Sequence, residues 1–364
     1  MDLDGDKLYV RALYPMLEGQ VAVLSAGAIP PDEAVQILEA LFDSDIYRAD
    51  QKSFMLYPDR QLPDFLEKNR VDAEKAGAVP LLERKPSTRD GRQMDFDADG
   101  CLRFNADFSN VGELDRALDS LVEEYGNDIE TARPLLRALY EETFNHKSFT
   151  GRSGTMFGFE GLGSIYWHMV SKLLLAVQEN FFAADASEHT RKRLGELYYR
   201  VREGIGFNKT PQEYGAFPTD PYSHTPKHAG ARQPGMTGQV KEEVLTRFGE
   251  LGIRVENGMV RFDPALLRAR EFIRGNRTFR YLTIDGEWQE VLVPDGALAF
   301  TWCQVPVIYR LGTTLVLTVL RQDDSRHEAA DGLLSVADSA ALFDRNGRIR
   351  MIELTMRSDS LFGD

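Results

Sequence analysis

Residues 163–181 read GSIYWHMVSKLLLAVQENF, and this stretch decides the helical part of the fold. Its apolar residues recur three and four positions apart, which is the period of an α-helix with one buried face. Leu173, Leu174, Leu175 and Val177 make it the most apolar of the helical stretches. The sequence therefore predicts a helix over 163–181 that is the most deeply buried of a helical body.

The same helical period continues on both sides of this stretch. It predicts helices over 112–125, 130–146 and 187–204, and a further helix over about 239–251. Residues 94–106 (MDFDADGCLRFNA) instead alternate around Asp99-Gly100, which is the strongest short hairpin signal. We therefore expect a hairpin insertion near 94–106 within the helical body.

The pattern changes beyond Gly252. Short β-branched and aromatic runs, such as Phe279–Ile284 and Thr314–Leu320, are separated by turn signals such as Asp285-Gly286. This pattern is typical of antiparallel strands. The sequence predicts an α+β fold with two domains: a helical, partly α/α toroid-like body over 1–251, and an antiparallel β-domain over 252–364.

Composition excludes some classes of function. The net charge is −14 and the basic residues do not cluster, so we expect no nucleic acid partner. The longest apolar stretch, 21–29, is too short to cross a bilayer, so no membrane partner is expected. Cys101 and Cys303 lie far apart and predict unpaired thiols in a reducing compartment, hence a cytoplasmic protein.

Two stretches, 152–168 and 214–239, combine glycine, aromatic and polar residues without a hydrophobic period. Aromatic rings stack on sugar faces, and polar side chains bind sugar hydroxyl groups, so these stretches predict a saccharide-binding cleft. The alternatives are a core histidine at position 168 and a purely structural loop over 214–239. The candidate residues for binding a small saccharide are Arg152, Trp167, His168, Tyr214, Tyr222 and His224.

Two patterns suggest metal sites but do not complete them. Asp95, Asp97 and Asp99 match the first half of a calcium loop, but Ala106 stands where the loop needs a bidentate glutamate. His224 and His228 have helical metal-ligand spacing, but Pro226 between them argues against a helix. We therefore predict neither a metal nor a resident cofactor.

Several short motifs resemble one family. Glu160-Gly161-Leu162-Gly163-Ser164 before Trp167, the segment His228-Ala229-Gly230-Ala231-Arg232, and Thr237-Gly238 before a helix are similar to segments of glycoside phosphorylases of the cellobiose phosphorylase type. The wider pattern also resembles the C-terminal region of long bacterial proteins of unsettled function. The resemblance implies the C-terminal part of an (α/α) barrel, with inorganic phosphate as co-substrate bound by His228, Arg232, Thr237 and Gly238.

In that family the catalytic acid is an aspartate shortly before the glycine-rich helix entry. The equivalent stretch here, 149–155, holds no carboxylate, so Glu160 is the candidate acid and Asp220 the candidate second carboxylate. The sequence thus predicts a carbohydrate-active protein, either a glycoside phosphorylase or a hydrolase. Two alternatives stay open: a non-catalytic saccharide-binding module, and a structural C-terminal piece of a larger split enzyme that needs an N-terminal partner domain or a homo-oligomer.

Overall fold

A computed structural model describes residues 2–4, 7–9, 15–59, 63–79, 82, 91–145, 163–183, 185–215, 224–226, 230 and 237–363. Contacts divide the chain into two compact units. Unit 1 comprises 1–16, 55–165 and 226–229, and unit 2 comprises 17–54, 166–225 and 230–364. These units differ from the two domains that the sequence predicts, 1–251 and 252–364. That division into domains stays a prediction.

The helices and strands of the described residues are numbered in chain order. The helices are α1 (Leu17–Ser25), α2 (Pro31–Phe42), α3 (Phe65–Lys68), α4 (Ala73–Gly77), α5 (Val111–Asp119), α6 (Val122–Tyr125), α7 (Asn127–Phe144), α8 (Trp167–Phe181), α9 (Glu188–Glu203), α10 (Pro211–Tyr214), α11 (Thr237–Glu250) and α12 (Val336–Phe343). The strands are β1 (Asp2–Asp4), β2 (Lys7–Tyr9), β3 (Tyr47–Arg48), β4 (Ser53–Phe54), β5 (Met94–Phe96), β6 (Leu102–Phe104), β7 (Ser164–Tyr166), β8 (His224–Pro226), β9 (Ile253–Glu256), β10 (Met259–Phe262), β11 (Arg277–Leu282), β12 (Trp288–Val293), β13 (Ala297–Trp302), β14 (Val305–Gly312), β15 (Val316–Arg321), β16 (Arg326–Ala329) and β17 (Ile349–Arg357).

Unit 1 contains the predicted hairpin. Strands β5 and β6 pair antiparallel with Met94 opposite Phe104, so the hairpin is confirmed. Gly100 takes a φ of 79° in the turn, a conformation that glycine adopts without strain. The Asp97 carboxylate accepts hydrogen bonds from the Asp99 and Cys101 amides and pairs with Arg103 at 2.5 Å. The hydrogen bond from the Cys101 amide makes the largest contribution to lowering the pKa of Asp97, followed by the one from Arg103. This carboxylate therefore stabilises the turn.

The core of unit 1 forms where α5 and α7 pack against this hairpin. Leu114, Leu118, Leu136 and Tyr140 are completely buried, and the Tyr140 ring meets the Phe104 ring edge-on at 5.0 Å. Burying such aromatic and aliphatic side chains is the main stabilising contribution available to a small unit.

Among the predicted helices, one is interrupted and one begins later than expected. The helix expected over 112–125 is interrupted between α5 and α6, because the chain turns at Ser120, whose hydroxyl donates to the Ala117 carbonyl at 2.6 Å. The helix expected from residue 163 begins instead at Trp167. The residues before it form β7, since Ile165 bridges to Met55 and the Leu56 amide donates to the Ser164 carbonyl at 2.8 Å.

In unit 2, helix α8 packs against α1, α2, α9 and α11. Val170, Leu173 and Val177, which follow the helical period, are completely buried, and this confirms that the apolar stretch forms a deeply buried helix. Helix α9 begins after Ser187, whose hydroxyl accepts from the Thr190 amide at 3.1 Å and so caps the helix.

The C-terminal residues of unit 2 form a five-stranded sheet in the order β13-β14-β17-β15-β16. Hairpins give antiparallel pairs, as the sequence predicts, but β14 and β17 are parallel. This difference arises because α12 carries the chain across before β17 enters between β14 and β15. Separate helical and strand-rich segments of this kind define the mixed α+β class, so the predicted class is confirmed, while the toroid-like arrangement of the helices stays a prediction.

Candidate functional site

Helices α8 and α11 of unit 2 lie side by side and run in the same direction. His168, in the first turn of α8, lies opposite Glu242, and Gln178, ten residues further along α8, donates to the Thr246 carbonyl at 2.8 Å. The N-termini of both helices therefore lie at the same end of the pair. Helix N-termini carry partial positive charge and exposed amides, so this end favours an anionic group.

At this end a carboxylate is buried beside an imidazole. Glu242 is 6% exposed, and its Oε2 atom lies 3.5 Å from His168 Nε2. At that separation the contact is electrostatic, since a well-formed hydrogen bond is shorter. Among the residues that the structure describes, Oε2 accepts no hydrogen bond. A buried carboxylate is costly without hydrogen bonds, so an unpartnered one calls for an explanation.

The other side of His168 faces a tyrosine. Its Nδ1 atom lies 3.5 Å from Tyr166 Oη, and the two rings meet edge-on. With Glu242 on its Nε2 side and Tyr166 on its Nδ1 side, the imidazole lies between a carboxylate and a hydroxyl group. His168 thus lies in a polar environment that suits proton transfer or hydrogen bonding to a ligand.

Trp167, the neighbour of His168, is completely buried. Its Nε1 donates to Thr225 Oγ1 at 2.8 Å, and the Tyr214 ring, also buried, lies 5.0 Å from it. Lys209 Nζ lies 5.4 Å from the Trp167 ring and donates to the Gly204 carbonyl, and burial lowers the pKa of Lys209 to about 8. In this conformation Trp167 and Tyr214 are core residues, and their predicted stacking on a sugar stays a prediction.

The remaining predicted residues are placed only in part. His224 lies in β8, and Thr237 and Gly238 form the first turn of α11, at the same end of that helix as Glu242. The other six lie outside the described residues: Arg152, Glu160, Asp220, Tyr222, His228 and Arg232. The structure therefore brings His168 to the end of the helix pair where α11 begins, and it leaves the candidate acids untested.

The sequence prediction missed Glu242. The signal was a second helical period in α11, because Glu242, Thr246, Gly249 and Glu250 are spaced by four, seven and eight residues. This polar face is the one that is buried, while Val240 and Val244 are 49% and 46% exposed. An apolar residue usually marks the core face of a helix, so the pattern of α11 favours the wrong face.

The described ranges show neither a metal site nor a membrane span. They hold no group of three or more His, Cys, Asp and Glu residues placed to bind a metal ion. None of their helices combines the length and the apolar character that a bilayer crossing requires.

One family model matches the sequence. Residues 62–147 match GH149 phosphorylase insertion domain 2, and these residues include the β5–β6 hairpin and helices α5 to α7 of unit 1. The match spans about a quarter of the chain and relates it to glycoside phosphorylases. No curated protein matches the chain in sequence.

Proposed function

We propose that this chain takes part in the phosphorolysis of a glycoside, and that the shared N-terminal end of α8 and α11 binds the saccharide and inorganic phosphate. The match of residues 62–147 to a phosphorylase insertion domain supports the reaction class. The observation that carries the location is the buried pair of His168 and Glu242. It lies at the same end of α11 as Thr237 and Gly238, the proposed phosphate-binding residues.

Phosphorolysis needs few protein groups. A phosphate oxygen attacks the anomeric carbon while the glycosidic C–O bond breaks, and the departing oxygen takes a proton from one carboxylic acid. The products are a sugar 1-phosphate and the shortened saccharide. In this proposal Glu160 is the acid, His228 and Arg232 act with Thr237 and Gly238 on phosphate, and Glu242 orients His168 toward the ligand.

Hydrolysis is the second candidate reaction. It would use Asp220 as a second carboxylate to activate water, and an inverting mechanism separates the two carboxyl groups by about 6.5–9.5 Å. Two further roles require no catalysis: a saccharide-binding module, and a structural piece of a split enzyme that acts with an N-terminal partner domain or a second copy. Ligand binding and turnover distinguish these cases.

The first experiment is a thermal-shift titration with orthophosphate, alone and with a panel of mono- and disaccharides. A ligand that binds the folded state raises the melting temperature with its concentration. We expect a saturable shift with orthophosphate that Thr237→Val removes and the matched control Thr237→Ser retains. A shift with sugars alone would favour the hydrolase or the binding module, and no shift with any ligand would favour the structural piece.

Turnover then tests the reaction. Release of sugar 1-phosphate from a disaccharide should require orthophosphate, and Glu160→Gln should abolish it while ligand binding stays nearly intact. Full activity of Glu160→Gln would remove Glu160 from the mechanism, and release of free sugar without orthophosphate would make the protein a hydrolase.

A further inference from the structure

A second candidate site lies within unit 2, away from the His168–Glu242 pair. A groove of about 1340 Å³ follows one face of α9, and residues 268–270 and 359–363 form its other walls. The residues that α9 contributes, such as Glu188, Lys192, Tyr199 and Arg202, recur at helical spacing and so share one face.

The charge of this groove differs from that of the whole chain. The chain has a net charge of −14, yet the groove is lined by more cations than acids. Its acids are Glu188, Glu196, Glu203 and Asp359. Its cations are Arg191, Lys192, Arg200, Arg202, Arg268 and Arg270.

Three of the four acids are neutralised by cations that do not line the groove. Glu196 pairs with Arg193 at 2.9 Å, and Glu203 pairs with Lys52 at 2.5 Å. Asp359 accepts from Arg357 Nε at 2.8 Å. These acids therefore contribute little to balancing the cations of the groove.

Four of the cations that line the groove are not paired with a carboxylate of the described residues. Within the described part of the chain, Arg191, Lys192, Arg200 and Arg270 have no carboxylate within 4 Å. Arg200 is held by stacking, with its guanidinium carbon 3.7 Å from the centre of the Phe42 ring. These four cations outnumber Glu188, the one groove acid that is not paired in this way, so the groove has a local positive potential that attracts an anion.

The walls of the groove are held in place before any ligand binds. Tyr199 donates to the Leu266 carbonyl at 2.5 Å, and the Arg268 guanidinium carbon lies 3.4 Å from the centre of the Tyr199 ring. Phe362 packs directly over Gly195, where any side chain would overlap its ring. A preorganised wall reduces the entropy lost when a ligand is bound.

We propose that this groove binds a ligand with several phosphate groups in a row. Arginine presents a planar fork of donors that matches phosphate oxygens. Arg191 and Arg200 are nine residues apart on α9, which is about 13 Å along the helix axis and about half a turn around it, so they lie at opposite edges of the groove-facing side and a single phosphate does not reach both. An oligophosphate carries charge along its whole length and so spans cations that are separated in this way. This site is independent of the proposed phosphorolysis.

The test is isothermal titration calorimetry of the whole chain with inorganic tripolyphosphate at low salt. We expect saturable binding at one site, and a loss of affinity of tenfold or more in Arg191→Gln/Lys192→Gln. The matched control is Arg274→Gln/Arg277→Gln, because both residues are exposed cations outside the groove. The affinity of this variant for tripolyphosphate should stay within about twofold of the wild type.

Three results would overturn the proposal: no saturable binding of tripolyphosphate, equal weakening in the control variant, and citrate binding as tightly as tripolyphosphate. Circular dichroism checks that both double variants are folded, as expected for exposed substitutions. Both double variants should keep any orthophosphate-dependent turnover, so failure of the groove and failure of the proposed reaction are distinguishable.

Discussion

The N-terminal and C-terminal halves of helix α11 each carry a buried glutamate, and the two glutamates have opposite surroundings. Glu250, at the C-terminal end, is 2% exposed and accepts from Tyr198 Oη at 2.6 Å. Its two oxygens also pair with Arg202 at 2.7 Å and Arg247 at 2.6 Å. Glu242, two turns earlier, has only the His168 contact at 3.5 Å among the charged groups that the structure describes. The fully paired carboxylate serves the fold, and the poorly paired one lies at the end where we propose that a ligand binds.

The largest effect on stability is expected at Glu250. Glu250→Gln removes the charge that pairs with both Arg202 and Arg247, although Arg247 keeps Glu271 at 2.7 Å, and breaking a buried ion pair from one side costs about 3–5 kcal/mol. Urea denaturation should show this decrease in the free energy of unfolding. Glu287→Gln, at an exposed position, is the control and should change stability by less than about 0.5 kcal/mol. A similar small change at Glu250 would mean that its ion pairs contribute little.

A smaller effect is expected between the two glutamates, at Gly249. A methyl group at this position would overlap the amide of Gln178, which is 4% exposed and bonds to the Thr246 carbonyl. Gly249→Ala should therefore cost about 1–3 kcal/mol, the range for an unmet buried polar group. Gly19→Ala, where the added methyl meets nothing within 4 Å, is the control. Equal stability of the two variants in urea would show that α8 and α11 separate easily.

Asp338, on helix α12, is a third buried carboxylate, and it binds side chains of strands β15 and β16. It is 3% exposed and binds Arg321 and Ser335 at 2.8 Å and His327 at 3.1 Å. Burial acts to raise the pKa of Asp338, but these hydrogen bonds outweigh it and lower the pKa below the ordinary value of 3.8. The carboxylate therefore stabilises the fold above pH 3.8, and this contribution is lost as the pH falls through the lowered pKa.

The measurement is the free energy of unfolding of the wild type and of Asp338→Asn as a function of pH. At pH 7 the variant should be less stable by about 2 kcal/mol, the scale of hydrogen bonds to a charged group. The difference should shrink as the solution becomes more acidic than the ordinary pKa of aspartate. A difference that does not change with pH would assign the effect to packing.

The fold was predictable where local chemistry and burial agree. The leucines of α8 have one possible buried face, and the Asp99-Gly100 turn fixes a hairpin by its backbone preference alone. The α11 helix itself was predictable, but its buried face was not, since Glu242 and Thr246 lie inward and Val244 lies outward. That inversion depends on the polar partners supplied by α8, which are remote in sequence.

The candidate site was predictable only as a pair of regions. His168 was singled out because a histidine follows an aromatic helix start, but its partner lies 74 positions later on another helix. The polar period of Glu242, Thr246 and Glu250 is the only local signal, and it fits a solvated helix face as well as a buried one. Contacts between distant segments carry that information, and a single sequence does not display them.

The most direct test of the functional assignment is the substitution Glu242→Gln, measured for stability and for ligand response in one preparation. The variant keeps the shape of the side chain and loses no hydrogen bond of the described residues, so its free energy of unfolding should stay within about 1 kcal/mol of the wild type. Orthophosphate-dependent turnover should fall by about a hundredfold or more. A variant that loses several kcal/mol of stability and retains full turnover would contradict the account and make Glu242 a structural residue like Glu250.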